Sequence, residues 1–238
     1  MSMPFAKRTK LTGNRILDQL SAEEFNRLAP HCEAVSLAYK QTVYRSADPL
    51  SNVIFPVSGM LSHLVVLEEG REVEVAMVGS EGVIGATAVL GVEQAPHRIV
   101  AQAASDGLRL PMPAFQRALE RIPRLDAMIR RYLAVALHNA RQLVACNVLH
   151  HVSARLCRWL LMAHDRLGVD CCPLTHEFLA ELLGVRRQTV TAATRALQDM
   201  ELITSQRGSL TIVNRAGLES AACECYRTMR DFHERYLG

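Results

Sequence analysis

Six consecutive residues, Arg186-Arg187-Gln188-Thr189-Val190-Thr191, carry side chains suited to reading a nucleic-acid duplex. A guanidinium can donate to guanine O6 and N7 together, a carboxamide can pair with adenine N6 and N7, and a threonine can reach a phosphate or a thymine methyl. No acidic residue occurs from Arg186 to Gln198, so no carboxylate in this stretch opposes a phosphate backbone. Basic helix starts are common on solvated surfaces, however. The meaning of these residues therefore depends on the elements that hold them.

Thr175 has the side chain of an N-cap for a helix over Glu177 to Leu183. Gly184-Val185 then reads as a tight turn, with glycine at the position that other residues resist. A second helix is expected from about Arg186 to Met200. Leu179, Leu182 and Leu183 of the first helix can pack against Val190 and Leu197 of the second. Helix, short turn and helix make a helix-turn-helix, in which the start of the second helix faces base edges. Beyond it, Glu201-Leu202-Ile203-Thr204 and Leu210-Thr211-Ile212-Val213 flank Ser205-Gln206-Arg207-Gly208-Ser209, two short strands around a glycine turn that would form a wing. The residues expected at DNA are Thr175, Arg186, Arg187, Gln188, Thr189, Thr191, Arg195 and Arg207.

The front of the chain has a different texture. Residues 12–30 read as short helices, with Ser21 as an N-cap ahead of Glu23 and Glu24. From about 33 to 113, short β-type runs alternate with glycine turns: Val53 to Val57, Leu61 to Leu67, Glu72 to Val75, Ile99 to Ala103 and Leu108 to Leu110. Such spacing predicts an antiparallel roll or sandwich. A long helix follows, roughly Arg124 to His150, with the stripe Leu125, Ile129, Tyr132, Ala136, Ala140, Leu143 and Asn147. A helix of that length with an apolar seam suits a contact between two copies, although it also suits packing on its own domain. Residues 152–168 form a further amphipathic helix, with Leu156, Trp159, Leu160 and Ala163 buried. Leu218, Ala222, Cys225, Met229, Phe232 and Tyr236 make a C-terminal stripe. The expected fold class is α+β: an N-terminal antiparallel β-roll with a dimerisation helix (1–150), a winged helix-turn-helix (151–217) and a C-terminal amphipathic helix (218–238).

Over residues 150–215 the chain resembles the CRP/FNR transcription regulators, through Leu174-Thr175, Leu179-Ala180, Leu183-Gly184-Val185, Arg187-Gln188-Thr189-Val190, Leu197 and Leu202-Ile203. The resemblance implies a homodimer on double-stranded DNA, each recognition helix in a major groove. Arg187 matches the family's guanine-reading arginine, and Thr189 and Arg195 match phosphate contacts. Gln188 stands where many relatives have Glu, which leaves the half-site preference open. An activator of this kind would engage RNA polymerase. Residues 33–113 resemble the family's cyclic-nucleotide-type roll, but Gly85 is followed by Ala86 rather than the ribose-binding Glu, and His97-Arg98-Ile99 lacks the phosphate-binding Arg-Ser/Thr pair. No cAMP binding is expected, and the effector is unidentified. The family's iron–sulfur branch clusters cysteines near the N-terminus; here none precedes Cys32.

Composition bounds the alternatives. The chain has 238 residues, 49% hydrophobic and 21% charged, with net charge +3, ordinary values for a soluble globular protein. Neither half is strongly charged, so any DNA signal is local. Met1 to Arg15 has no apolar core segment, and no run approaches the ~20 apolar residues that span a membrane. A cytoplasmic protein without membrane association is expected. The seven cysteines are odd in number and irregularly spaced; Cys171-Cys172 and Cys223-Glu224-Cys225 lack the two-residue gap of zinc sites, so reduced, incidental thiols and no metal or cofactor are expected. Nucleophile elbow, phosphate loop and HExxH motif are all absent from the sequence, and no catalytic residue is assigned. The competing class is a regulatory module that binds a ligand or protein without DNA, which the basic recognition helix disfavours.

Overall fold

The computed structural model describes residues 12–238 apart from Pro173, Arg207 and the side chain of Cys172. Most of the polar N-terminal stretch read for a secretory signal lies outside them. The chain divides into two compact units: one holds the residues up to His63 with Met77–Leu137 and His233–Gly238, the other Leu64–Ala76 and His138–Phe232.

The first unit starts on a buried polar anchor. Asn14 caps α1 (Arg15–Asp18), its side-chain oxygen accepting from Ile16 N and Leu17 N. Its amide donates to Pro56 O at 2.8 Å and Gly82 O at 2.9 Å. All of its hydrogen-bonding capacity is thus used where no water can substitute. Ser21 and Glu24 form a capping box at α2 (Ala22–Leu28), the start expected from sequence.

Seven strands follow: β1 (Glu33–Leu37), β2 (Thr42–Tyr44), β3 (Asn52–Pro56), β4 (Leu61–Val66), β5 (Glu72–Val78), β6 (Arg98–Ala101) and β7 (Ser105–Pro111). They make an antiparallel β1-β7-β3 sheet, with Val35 opposite Gly107 and Phe55 opposite Leu108, and a β2-β6-β4-β5 sheet. Val53, Phe55, Leu61, Ile84, Ile99, Leu110 and Phe115 are buried in the core. Gly59 turns the chain from β3 into β4 at φ +79°, where a Cβ would lie 2.2 Å from Ser105 Oγ, so both conformation and space demand glycine. β1 and β2, unassigned from sequence, are short, and β1 exposes Glu33, Ala34 and Ser36.

α3 (Met112–Arg121) leads into α4 (Pro123–Leu149), 27 residues and about 40 Å long. Within the first unit, Leu125 and Ile129 of α4 are fully buried and Tyr132 packs over Gly82. The front of the seam expected at a second copy is therefore used by the helix's own unit. The uncovered large apolar residues of α4 are Leu137, Val144, Val148 and Leu149, exposed by 52, 67, 77 and 74%.

In the second unit, α5 (Val152–Leu167) buries Leu156, Trp159, Leu160 and Ala163 and ends at Gly168, φ +65°. β8 (Cys171–Cys172), α6 (His176–Leu183), α7 (Arg187–Asp199), β9 (Ile203–Gln206) and β10 (Ser209–Ile212) follow. β8 adds a third strand to the wing in the order β8-β10-β9, with Leu210 opposite Cys172 and Ser205. The C-terminal stripe forms two helices rather than one, α8 (Arg215–Ala221) and α9 (Cys225–Leu237), because Ala222 turns extended at ψ 152°. The β4–β5 hairpin tip also belongs to this unit: Trp159 Nε1 donates to Glu74 at 2.7 Å, and a Cβ on Gly184 would stand 3.5 Å from Val73.

Candidate nucleic-acid interface

The interface is built from the turn outwards. Thr175 accepts from Phe178 N at 3.2 Å and so starts α6 as an N-cap. Gly184 ends that helix at φ +63°, and Val185 N donates back to Ala180 O at 2.9 Å. These bonds use backbone groups that a helix end would otherwise leave unpaired. Arg186, extended at ψ 145°, is the N-cap of α7.

α7 then separates two faces. Val190, Ala193, Thr194 and Leu197 are buried at helical spacing, and Leu179, Leu182 and Leu183 of α6 are buried with them, as the sequence predicted. Arg186, Arg187, Gln188, Thr189, Thr191 and Arg195 are all exposed. The first turn of α7 thus presents donors and acceptors to the outside while its apolar side holds the pair of helices together. Arg195 stands eight residues beyond Arg187, about 12 Å along the axis and turned by about 80°.

Some of these side chains are engaged locally. Arg187 lies 3.5 Å from Glu177, both groups about two-thirds exposed. Thr191 donates to Arg187 O at 3.1 Å and meets His176 Nδ1 at 3.1 Å, so His176 and Thr191 tie α6 to α7. Neither His176 nor Glu177 was singled out from sequence; the signal that could have found them is their place in the first turn of α6, beside the start of its partner helix. Arg207, expected in the wing turn, lies outside the described residues, and its neighbour Gly208 has φ +77°.

The exposed face of α7 lines a cleft of about 1190 Å³. Arg186, Arg187, Gln188 and Thr191 line it together with Glu177 and Glu181 of α6, and the hairpin tip contributes Leu67 and Glu69 to Val73. Nothing in the local pattern of residues 67–73 predicted that neighbourhood.

Two further groupings bear on ligands. In the roll, Ala86 is buried at the start of a turn after Gly85 (φ +84°), and Arg98 donates to Thr42 Oγ1 at 3.3 Å. His63 and His97 face each other edge to face at 6.2 Å, and burial, then the charge of His97, pushes His63 down to about 4. In the second unit, Cys146, His150, Cys223 and Cys225 bring their ligating atoms together, the one group among the described residues with the makings of a metal site.

Residues 34–122 match the model of the cyclic nucleotide-binding domain and residues 154–221 that of the Crp-like helix-turn-helix domain. The global nitrogen regulator of Nostoc sp. is 24% identical over 181 residues, 72% of this chain and 81% of that protein. That of Synechococcus elongatus is 24% identical over 188 residues, 75% and 84% of the two chains. Among solved structures, a CRP/FNR-family regulator from Eubacterium rectale superposes with a TM-score of 0.70 at 17% identity, covering 89% of this chain and 99% of that one. FixK2 from Bradyrhizobium japonicum does so at 0.66 and 18%, covering 81% and 98%. A nucleotide-binding-type roll followed by a capped helix pair and wing, matched by both family models in that order, places the protein: the chain belongs to the CRP/FNR family of DNA-binding transcription regulators.

Proposed function

We propose that the protein regulates transcription as a homodimer, α7 of each copy entering the major groove of one DNA half-site. The observation that carries this reading is the exposed face of α7, without an acidic residue through Gln198, behind a turn whose caps fix its angle. Arg187 and Gln188 are the base readers, placed in the first turn. Arg186, Thr189, Thr191 and Arg195 reach backbone phosphates, with Thr175 at the start of α6 and Arg207 in the wing completing the footprint. Leu137, Val144 and Val148 supply the contact with the second copy, since an apolar row on a long helix is stabilised by a partner helix. The protein acts in the cytoplasm and catalyses no reaction, and as an activator it engages RNA polymerase.

In this conformation the reading face lines a cleft shared with the hairpin tip. Cyclic AMP is not the effector in this reading: the side chain of Ala86 has no acceptor for a ribose hydroxyl. Selection of bound duplexes from a random pool tests the whole reading. The expected product is a two-fold symmetric sequence with half-sites one helical turn apart; recovery of no enriched sequence would contradict it.

A further inference from the structure

Four side chains that chemistry would make metal ligands meet although the sequence separates them into two pairs. Cys146 and His150 are one helical turn apart at the end of α4, where His150 N still donates to Cys146 O at 3.1 Å. Cys223 lies in the break between α8 and α9, and Cys225 opens α9. Cys146, Cys223 and Cys225 are buried. The ligating atoms of all four residues lie within 4.8 Å of one another. Cys146 Sγ and Cys223 Sγ are 3.5 Å apart, as are Cys225 Sγ and His150 Nδ1. A tetrahedral ion about 2.3 Å from sulfur and about 2.0 Å from nitrogen sets its ligands about 3.5–3.8 Å apart, so the cluster needs little adjustment to close on one.

The surroundings fit the same chemistry. His150 Nε2 stands 3.3 Å from Glu224 Oε2, which leaves Nδ1 turned to the sulfurs; a carboxylate behind the imidazole is the usual support of a ligating histidine. Gln142 Nε2 donates to Cys225 Sγ at 3.1 Å. Arg155 and Arg158 of α5 are only 7% and 4% exposed, and among the described residues neither has a carboxylate partner. Both guanidinium charges act on the thiol cluster. Buried charge is costly unless compensated. Three thiolates around a divalent cation carry one net negative charge, which serves that purpose.

We propose that Cys146, His150, Cys223 and Cys225 form a tetrahedral site for a thiophilic divalent cation, zinc(II) by its ligand set. Binding releases the three thiol protons to solvent and changes no oxidation state. The ion clamps the end of α4 to the start of α9, within a buried cluster that also holds Met229, Leu143, Ala154 and Met162. Arg155 continues from that cluster to the helix-turn-helix, donating to Leu183 O at 2.6 Å. This site revises the expectation of incidental thiols, and it stands or falls independently of the DNA reading.

The test uses the full-length protein, purified under reducing conditions. Elemental analysis should find one zinc per chain. After chelation, cobalt(II) should restore one equivalent with the thiolate charge-transfer and tetrahedral d–d absorption, and zinc should displace it. Cys223→Ser and Cys146→Ser should each lower the apparent affinity at least tenfold, whereas Cys32→Ser should leave it unchanged. His150→Cys, which keeps four ligands, should retain the ion with stronger charge-transfer absorption, so loss of fold in a serine variant would not hide the result. Reduced wild-type protein with neither zinc nor the cobalt thiolate spectrum would overturn the proposal. So would a spectrum that survives both serine substitutions, or a Cys146–Cys223 disulfide as the only modification found with no metal bound.

Discussion

Replacing Arg187 by alanine separates base reading from folding. Its pair with Glu177 is 3.5 Å long and about two-thirds exposed on both sides, so its loss costs at most about 1 kcal/mol of stability. A bidentate contact with one guanine is worth about 1–3 kcal/mol, which is roughly 5- to 150-fold in affinity. Arg187→Ala should therefore fold normally, bind its best operator roughly 5- to 150-fold more weakly for each half-site contacted, and lose preference at one base pair per half-site. Arg195 lies about 12 Å further along α7 and about 80° around it, away from that first-turn face. Arg195→Ala should weaken all sequences alike and reduce the salt slope by about one per copy. Fluorescence anisotropy on the operator, on its single-base variants and across a salt series measures all of these quantities. Uniform weakening by Arg187→Ala, with every base preference intact, would refute its assignment as a base reader.

Other perturbations follow from particular contacts. Leu137→Glu combined with Val144→Glu places charges in the exposed row of α4, and light scattering should show mass falling from about twice 26.4 kDa to that of one chain. Asn14→Ala removes four buried hydrogen bonds and should cost roughly 2–4 kcal/mol in denaturant unfolding. His63 is held down to about 4 by burial first and by His97 second. The unfolded chain therefore binds more protons between about pH 4 and 6.5, so stability falls as pH drops through that window, by up to about 3 kcal/mol. His63→Gln should flatten that part of the profile, measured by unfolding at a series of pH values.

Local chemistry was legible in the sequence where one segment decides the structure. Thr175, Gly184 and the apolar spacing of Val190 and Leu197 mark the helix pair to within a residue or two, because caps, turns and periodicity act over a few positions. Ser21 and Gly168 mark their helix ends for the same reason. What depended on distant partners was not legible. β8 has two residues and exists through its pairing with β10. Leu125 and Ile129 look like a dimer seam until the front unit is seen to bury them. Arg155 and Arg158 sit on the inner side of α5, where an amphipathic reading puts only apolar residues. Cys146 with His150 and Cys223 with Cys225 each fail a two-residue-gap search, yet the fold joins them. The hairpin tip beside α7 is likewise a long-range product.

If α7 reads bases in the major groove, a guanine methylated at N7 blocks it, and methylation interference detects the block. Operator duplexes methylated sparsely at guanine N7 are bound by the wild-type protein, and the free and bound fractions are compared. N7 is one of the two atoms an arginine fork contacts. Methylation of one guanine in each half-site should exclude the duplex from the bound fraction, and Arg187→Ala should abolish this discrimination. Bound and free fractions with the same methylation pattern for the wild-type protein would contradict base reading by α7.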